Sequence, residues 1–214
     1  MEANFRLLWK ALVNAYDAGW ELVQINLLWF VLSMPLITLP FTMAGLAFYM
    51  HEVAHSESVS WKDFFVGMRK YFWPSMRFLL LNLIIFFVLL FYHNYFTYLN
   101  NSFTPIVIGL IYGFGIIWLL LMPFVFPLML EQAKPGLRNG LRNSFVMYVK
   151  WPGITLPVVI LVYLLMYGST LILLPWAILT ASLCSFLLAY IAMVKAEESA
   201  QLQQANKNKE TEGE

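Results

Sequence analysis

The sequence predicts an all-α polytopic transmembrane helical bundle of about five spans, with amphipathic helices at the membrane interface. Of the 214 residues, 61% are hydrophobic and only 12% are charged, whereas soluble domains carry roughly 25% charged residues. No Asp, Glu, Lys or Arg occurs between Arg77 and Glu131 or between Lys150 and Lys195. Uncharged stretches of this length are typical of helices that cross a bilayer, each of which needs about 20 apolar residues.

Four apolar regions contain the expected spans and define one integral membrane domain over residues 1–194. The regions are 25–50, 78–95, 105–130 and 154–194. The last region is long enough for two helices, with Gly168-Ser169-Thr170 as the predicted turn between them. An alternative breaks the first region into a hairpin at Pro35 and Pro40, which adds one crossing and brings both chain ends to one side.

The basic residues predict the orientation of the chain. Eleven Lys and Arg residues lie in loops 51–77 and 131–153 and in the C-terminal tail, against Arg6 and Lys10 before the first apolar region. Because cytoplasmic loops carry the excess of Lys and Arg, the five-span arrangement puts the C-terminus in the cytoplasm and the N-terminus outside. Residues 195–214 are rich in Gln, Asn, Lys and Glu and are expected to form a disordered cytoplasmic tail.

Residues 25–95 and 114–170 have similar patterns, which suggests a parallel internal repeat. Each has a Met-Pro pair, a second proline, a basic amphipathic segment and a Trp-Pro pair, in that order. The paired residues are Met34-Pro35 with Met122-Pro123, Pro40 with Pro127, and Trp73-Pro74 with Trp151-Pro152. A true repeat would direct both proline-broken ends at one shared cavity, because carbonyls freed by proline need a polar partner. Chance similarity between aromatic, proline-rich membrane sequences is the alternative.

Residues 60–73 predict an amphipathic helix that lies along the membrane surface. Ser60 and Asp63 have the spacing of a capping box, and an apolar stripe at helical spacing is expected to face the acyl chains. The stripe consists of Trp61, Phe64, Phe65, Met68 and Phe72. In residues 136–143 a four-residue period puts Arg138 and Arg142 on one helix face, where two guanidinium groups could hold a phosphate or carboxylates.

Basic residues of these two segments are the candidate contacts for anionic lipid headgroups, or for another membrane or transporter subunit. They are Lys62, Arg69, Lys70, Arg138 and Arg142. Charge that merely sets the topology is the plainer interpretation of the same residues. A net charge of +1 gives no reason to expect a nucleic-acid partner.

One short motif has the spacing of a catalytic site: His51-Glu52-Val53-Ala54-His55 matches H-E-x-x-H. On a helix the two histidines can share a zinc ion and Glu52 can act as general base, so a membrane-embedded zinc metalloprotease is an alternative function. A third protein ligand is required. His93 is expected a membrane thickness away, and Glu131 is the best-placed substitute. Chance occurrence of so short a motif favours a solvated helix end with no metal or cofactor.

Several residues between positions 21 and 78 carry a family resemblance. They are Asn26-Leu-Leu-Trp29, Pro35-Leu-Ile-Thr38, Pro40, Thr42, Ala44 and Lys62-Asp63-Phe64-Phe65. On these residues the chain resembles the YesL-like family of bacterial membrane proteins, a domain of unknown function. The family usually has glycine where this chain has Leu39, and it has no H-E-x-x-H at this position. The resemblance implies a bacterial inner-membrane protein, often encoded beside carbohydrate uptake systems, with no established activity.

The leading functional prediction is a non-enzymatic, transport-associated protein: an accessory subunit or a small-solute permeation module, with a carbohydrate solute suggested by the resemblance. Its functional core would be Asn26, Trp29, Pro35, Thr38, Pro40 and Thr42. A further alternative is a permease subunit coupled to an ATPase. Glu131-Gln-Ala133 followed by Ile154-Thr-Leu-Pro157 is similar to the cytoplasmic-loop signature of ATP-driven importer permeases, although the spacing is too long.

Overall fold

The computed structural model describes residues 2–56, 58–99, 103–132, 134–171 and 175–212, and within these ranges all regular secondary structure is helical. This confirms the predicted all-α class. Four of the described helices are long and apolar enough to cross a membrane. They span Phe72–Leu99, Thr104–Leu130, Pro152–Leu171 and Ile178–Ala205, so the chain is a multi-pass membrane protein.

The α-helices are labelled in chain order. They are α1 (Glu2–Asp17), α2 (Gly19–Ser33), α3 (Leu39–Ala54), α4 (Trp61–Lys70), α5 (Phe72–Leu99), α6 (Thr104–Leu130), α7 (Leu137–Lys150), α8 (Pro152–Leu171) and α9 (Ala181–Glu212). A short 3-10 turn over Leu36–Thr38 joins α2 to α3, and a π-helical turn over Trp176–Thr180 precedes α9.

The first predicted span is a helical hairpin made of α2 and α3, not one continuous helix. The chain breaks at Pro35, because proline has no N–H and its ring clashes with the preceding helical turn. At this break the Thr38 hydroxyl donates to the Leu32 carbonyl at 2.5 Å, which satisfies an acceptor left open by the end of α2. At the other end of the hairpin, residues from both helices line one cavity: Ala18, Glu21, Val53 and Ala54. The two helices are therefore antiparallel, as in the alternative that the sequence left open.

The hairpin brings the N-terminal helix to the end of the bundle that holds the basic loops. We call this the basic end; it consists of α1, α4, α7 and the helix ends that join them. Asn4 of α1 lies against Gly153 at the start of α8, within 2.7 Å of where a Cβ would stand. Asn14 and Asp17 of α1 line the same cavity as the end of α3. The N-terminus thus shares a side with the basic loops, which corrects the expectation that it lies on the opposite side.

Each of the two interfacial helices crosses the preceding helix at a glycine. A Cβ on Gly67 of α4 would lie 2.6 Å from the Phe48 Cβ, and one on Gly140 of α7 would lie 2.6 Å from the Val125 carbonyl oxygen. Tyr148 also fastens α7 to α6, since its hydroxyl donates to the Leu120 carbonyl. Burial raises the pKa of Tyr148 above its usual value, which extends to higher pH the range over which the phenol can donate this bond.

The aromatic stripe of α4 does not face the acyl chains as a whole. Phe64 is fully buried against the bundle, whereas Trp61 is 62% exposed. The stripe is divided because Gly67 lets α4 approach α3 closely, and Phe64 then belongs to the protein core. The capping pattern is present, since the Ser60 N–H donates to the Asp63 carboxylate at 2.7 Å.

The last two helices also differ from the sequence-based expectation. α8 continues through Gly168-Ser169-Thr170 to Leu171, so the predicted turn is wrong; residues 172–174 lie outside the described part of the chain. The hydroxyls of Ser169 and Thr180 lie 2.6 Å apart and tie α8 to the π-helical turn. Hydroxyls that bond across helices can sit inside a membrane helix, and so a Ser-Thr pair is a weak predictor of a turn there.

α9 is the central helix of the bundle and continues well past it. Its residues Phe186, Leu187, Ile191 and Ala192 are almost fully buried. The helix extends to Glu212, which corrects the prediction of a disordered tail over 195–214; residues 213 and 214 lie outside the described part of the chain. Extending a formed helix is far easier than starting one, and Ala, Glu, Gln and Lys favour it.

Gly140→Ala is expected to destabilise the protein, because the added Cβ would press on the Val125 carbonyl oxygen at 2.6 Å. Overpacking of this kind costs about 1–3 kcal/mol. The matched control is Gly109→Ala, whose Cβ would meet no atom within 4 Å. That variant should be neutral or slightly stabilising, since alanine favours the helix. Circular dichroism during thermal unfolding in detergent measures both, and equal midpoints for the two variants would contradict this packing.

Candidate metal centre

The last turns of α3 bring the two motif histidines together at the basic end. Residues four apart lie on the same helix face, and the ring centroids of His51 and His55 are 4.3 Å apart. His55 Nδ1 lies 2.8 Å from the His51 carbonyl oxygen. Because a carbonyl can only accept, Nδ1 of His55 carries a proton and Nε2 keeps the lone pair that a metal requires.

Glu131 follows the last residue of α6 and faces both histidines. Its Oε1 is 3.2 Å from His51 Nδ1, and its Oε2 is 3.5 Å from His55 Nε2. The Glu131 side chain is only 10% exposed. α3 and α6 both run toward the basic end, so a residue just after α6 reaches the last turns of α3. The sequence predicts Glu131 as the best-placed third ligand, and the structure places Glu131 beside the histidine pair.

The three side chains fit a zinc-type cation. A tetrahedral ion with bonds of about 2.0–2.2 Å separates its ligand atoms by about 3.3–3.6 Å. The ligand atoms of His51, His55 and Glu131 all lie within 4.8 Å of one another. Among the described residues, His51 Nδ1 and Glu131 Oε1 are buried without a hydrogen-bond partner, although 3.2 Å separates them. A divalent cation would satisfy both atoms at once, and two imidazoles with one carboxylate are a donor set that zinc accepts.

The remaining motif acid and the third histidine occupy different positions. Glu52 Oε1 lies 4.0 Å from His51 Nε2, and the Glu52 side chain is 21% exposed. His93 is on α5, where its Nδ1 lies 3.3 Å from the Tyr112 hydroxyl near the start of α6. Since Glu131 is at the opposite end of α6, His93 is far from the centre, as the sequence predicted.

The residues proposed as a functional core lie in or beside the α2–α3 hairpin, where the side chains of Asn26, Thr38 and Thr42 form hydrogen bonds within the protein. Asn26 Oδ1 accepts the backbone N–H of Ser182 at 2.8 Å, and the Ser33 and Thr42 hydroxyls lie 2.7 Å apart. Trp29 is buried, whereas Pro35 is exposed. Neither described cavity is lined by any of the six residues.

The two proline-broken segments lie at different places in the fold. Pro35 and Pro40 lie at the turn between α2 and α3, and Pro123 and Pro127 lie in the last turns of α6, next to Glu131. Neither described cavity is lined by any of these four prolines. The shared cavity and the duplication therefore stay predictions.

The candidate headgroup contacts are all exposed at the basic end: Lys62, Arg69, Lys70, Arg138 and Arg142. Sequence analysis missed a further exposed surface on α1. Its outward side chains are aromatic, and they are Phe5, Trp9, Tyr16 and, just beyond the helix, Trp20. Their spacing of about one or two helical turns was a detectable signal of an amphipathic helix.

Comparisons with protein-family models, with curated proteins and with solved structures find no match to this chain.

Asn26→Leu is expected to lower the thermal unfolding midpoint, because it leaves the buried Ser182 N–H without its acceptor. An unsatisfied buried donor costs about 1–3 kcal/mol. The matched control is Ser182→Ala, which keeps that N–H and removes only a hydroxyl bonded locally to the Leu179 carbonyl. Thermal unfolding in detergent compares them. A larger loss in Ser182→Ala than in Asn26→Leu would contradict the structural role of Asn26.

Proposed function

We propose that this protein is an integral membrane metalloprotein that binds a zinc-type divalent cation through His51, His55 and Glu131. The observation that carries the proposal is the convergence of these three ligand atoms within 4.8 Å from two separate parts of the chain. Zinc with three protein ligands keeps a fourth position for water or a substrate and acts there as a Lewis acid. His55 is 29% exposed, which provides access to that position.

Peptide hydrolysis is not part of the proposed function. A zinc protease also needs a general base that reaches the open coordination position. Glu52 is the motif residue assigned to that role, yet its carboxylate lies beside the ring of His51. A protease therefore remains the second candidate, favoured by the presence of the third ligand.

The transport-associated role and its link to carbohydrate stay predictions that rest on the sequence. Metal binding is compatible with an accessory subunit, because an accessory protein needs no cavity of its own for the solute. Coupling to an ATPase has less support than the accessory role. Ala133 of the proposed signature lies outside the described residues, and Glu131 of the same signature faces the histidine pair.

The excess of Lys and Arg in the loops supports placing the basic end and the C-terminus in the cytoplasm. The location in a bacterial inner membrane rests on the family resemblance. Anionic lipid headgroups are the partner that suits the exposed cations and aromatics of α4 and α7. Phosphatidylglycerol should therefore raise the thermal unfolding midpoint more than neutral phosphatidylcholine does. The difference should shrink in the double variant Arg138→Gln and Arg142→Gln. An undiminished difference would exclude these two arginines as headgroup contacts.

The metal proposal predicts about one zinc ion per chain when the protein is purified in detergent without chelators. His51→Ala, His55→Ala and Glu131→Ala should each lose most of the bound zinc, because each removes one of three ligands. Inductively coupled plasma mass spectrometry of the purified protein measures the content.

The matched control is His93→Ala, which removes the remaining histidine and should keep the full zinc content. Equal zinc in His93→Ala and in the ligand variants, or no zinc in the unchanged protein after incubation with it, would contradict the proposal. A thermal unfolding curve for each variant separates loss of a ligand from loss of the fold.

A further inference from the structure

We propose that Glu52 is a positioning residue that orients the metal ligand His51, and that it is not a general base. This inference rests on the proposed metal site and assigns a role within it. The glutamate of the H-E-x-x-H motif would then increase the affinity for the metal. It would not transfer a proton, which is the role that this motif predicts for it.

The geometry around His51 assigns its two ring nitrogens to different partners. Nδ1 faces Glu131 Oε1 at 3.2 Å, on the side where His55 Nε2 also approaches Glu131. Nδ1 is therefore the atom directed at the metal. Nε2, the other nitrogen of the ring, points away from Nδ1 and lies 4.0 Å from Glu52 Oε1. The imidazole of His51 is thus enclosed by two carboxylates, one on the metal side and one behind it.

This arrangement matches what a histidine ligand requires. A metal-bound histidine commonly donates its other ring N–H to a carboxylate or a carbonyl, which selects the tautomer and makes the ligand nitrogen more basic. His55 has such an acceptor in the His51 carbonyl, 2.8 Å from its Nδ1. The Glu52 carboxylate, 4.0 Å from His51 Nε2, is the group that would supply the corresponding acceptor for His51. The two histidines consequently bind through different nitrogens, Nδ1 in His51 and Nε2 in His55.

The same placement argues against a general base. A base must reach the open coordination position, where it takes a proton from the bound water. A carboxylate behind the His51 ring is separated from that position by the ring itself. The 4.0 Å separation between Glu52 Oε1 and His51 Nε2 is longer than a hydrogen bond, so the proposed bond requires a small change of the Glu52 rotamer when the metal binds.

The test measures zinc affinity of the full-length protein in detergent, by competition with a chromophoric chelator. Glu52→Ala should weaken zinc binding by about 10–100-fold, the usual effect of removing such a carboxylate. Glu52→Gln should weaken it less, because the amide oxygen still accepts a hydrogen bond from His51. Glu21→Gln is the matched control, since Glu21 lines the cavity beside α3 and not the metal centre; it should leave the affinity unchanged.

A second measurement separates orientation of His51 from a general structural role. Cobalt in place of zinc gives visible absorption bands that depend on ligand geometry, and these should shift in Glu52→Ala and not in Glu21→Gln. Wild-type zinc affinity and an unshifted cobalt spectrum in Glu52→Ala would overturn the inference while leaving the metal site intact. Failure of the unchanged protein to bind zinc or cobalt would overturn both proposals. Thermal unfolding without metal verifies that each variant folds. If Glu52→Ala fails to fold, the zinc affinity and the cobalt spectrum of Glu52→Gln test the inference instead.

Discussion

The interior of a bilayer offers no water to a backbone N–H or C=O, and this constraint governs two departures from regular helix in the described apolar part of the chain. At the break between α2 and α3 the Thr38 hydroxyl satisfies the Leu32 carbonyl. Where the π-helical turn gives way to α9, Asn26 accepts the N–H of Ser182. The first bond lies within the hairpin, and the second joins the hairpin to α9. The side chains that satisfy irregular backbone therefore also hold the bundle together.

Water is available at the basic end, and the structure is correspondingly different there. Interfacial helices replace membrane spans, and glycines allow them to lie closely on the helices that precede them. Trp151 donates its indole N–H to Glu198 at 3.2 Å, and Lys195 pairs with the same carboxylate at 2.5 Å. These contacts fasten the start of α8 to α9 where the helix leaves the membrane.

The apolar stretches predict the helical class and four of the crossings, because a charge-free stretch longer than 20 residues has few other stable environments. The hairpin could be predicted only as an alternative, since Pro35 breaks a helix without determining the direction in which the next one leaves. That direction is set by packing between parts of the chain that are distant in sequence. For the metal centre, helical spacing pairs His51 with His55, and loop position selects Glu131. The nitrogen that His51 turns toward Glu131 depends on packing around the ring, which sequence spacing does not specify.

The composition of the centre suits the proposed cation. The Glu131 side chain is only 10% exposed, and a carboxylate with so little water around it is costly unless its charge is compensated. The ring centroids of His51 and His55 lie 4.3 Å apart, so both imidazoles border the space that this carboxylate faces. A single divalent ion held by both rings and the carboxylate would compensate that charge. It would also supply the partner that His51 Nδ1 and Glu131 Oε1 lack.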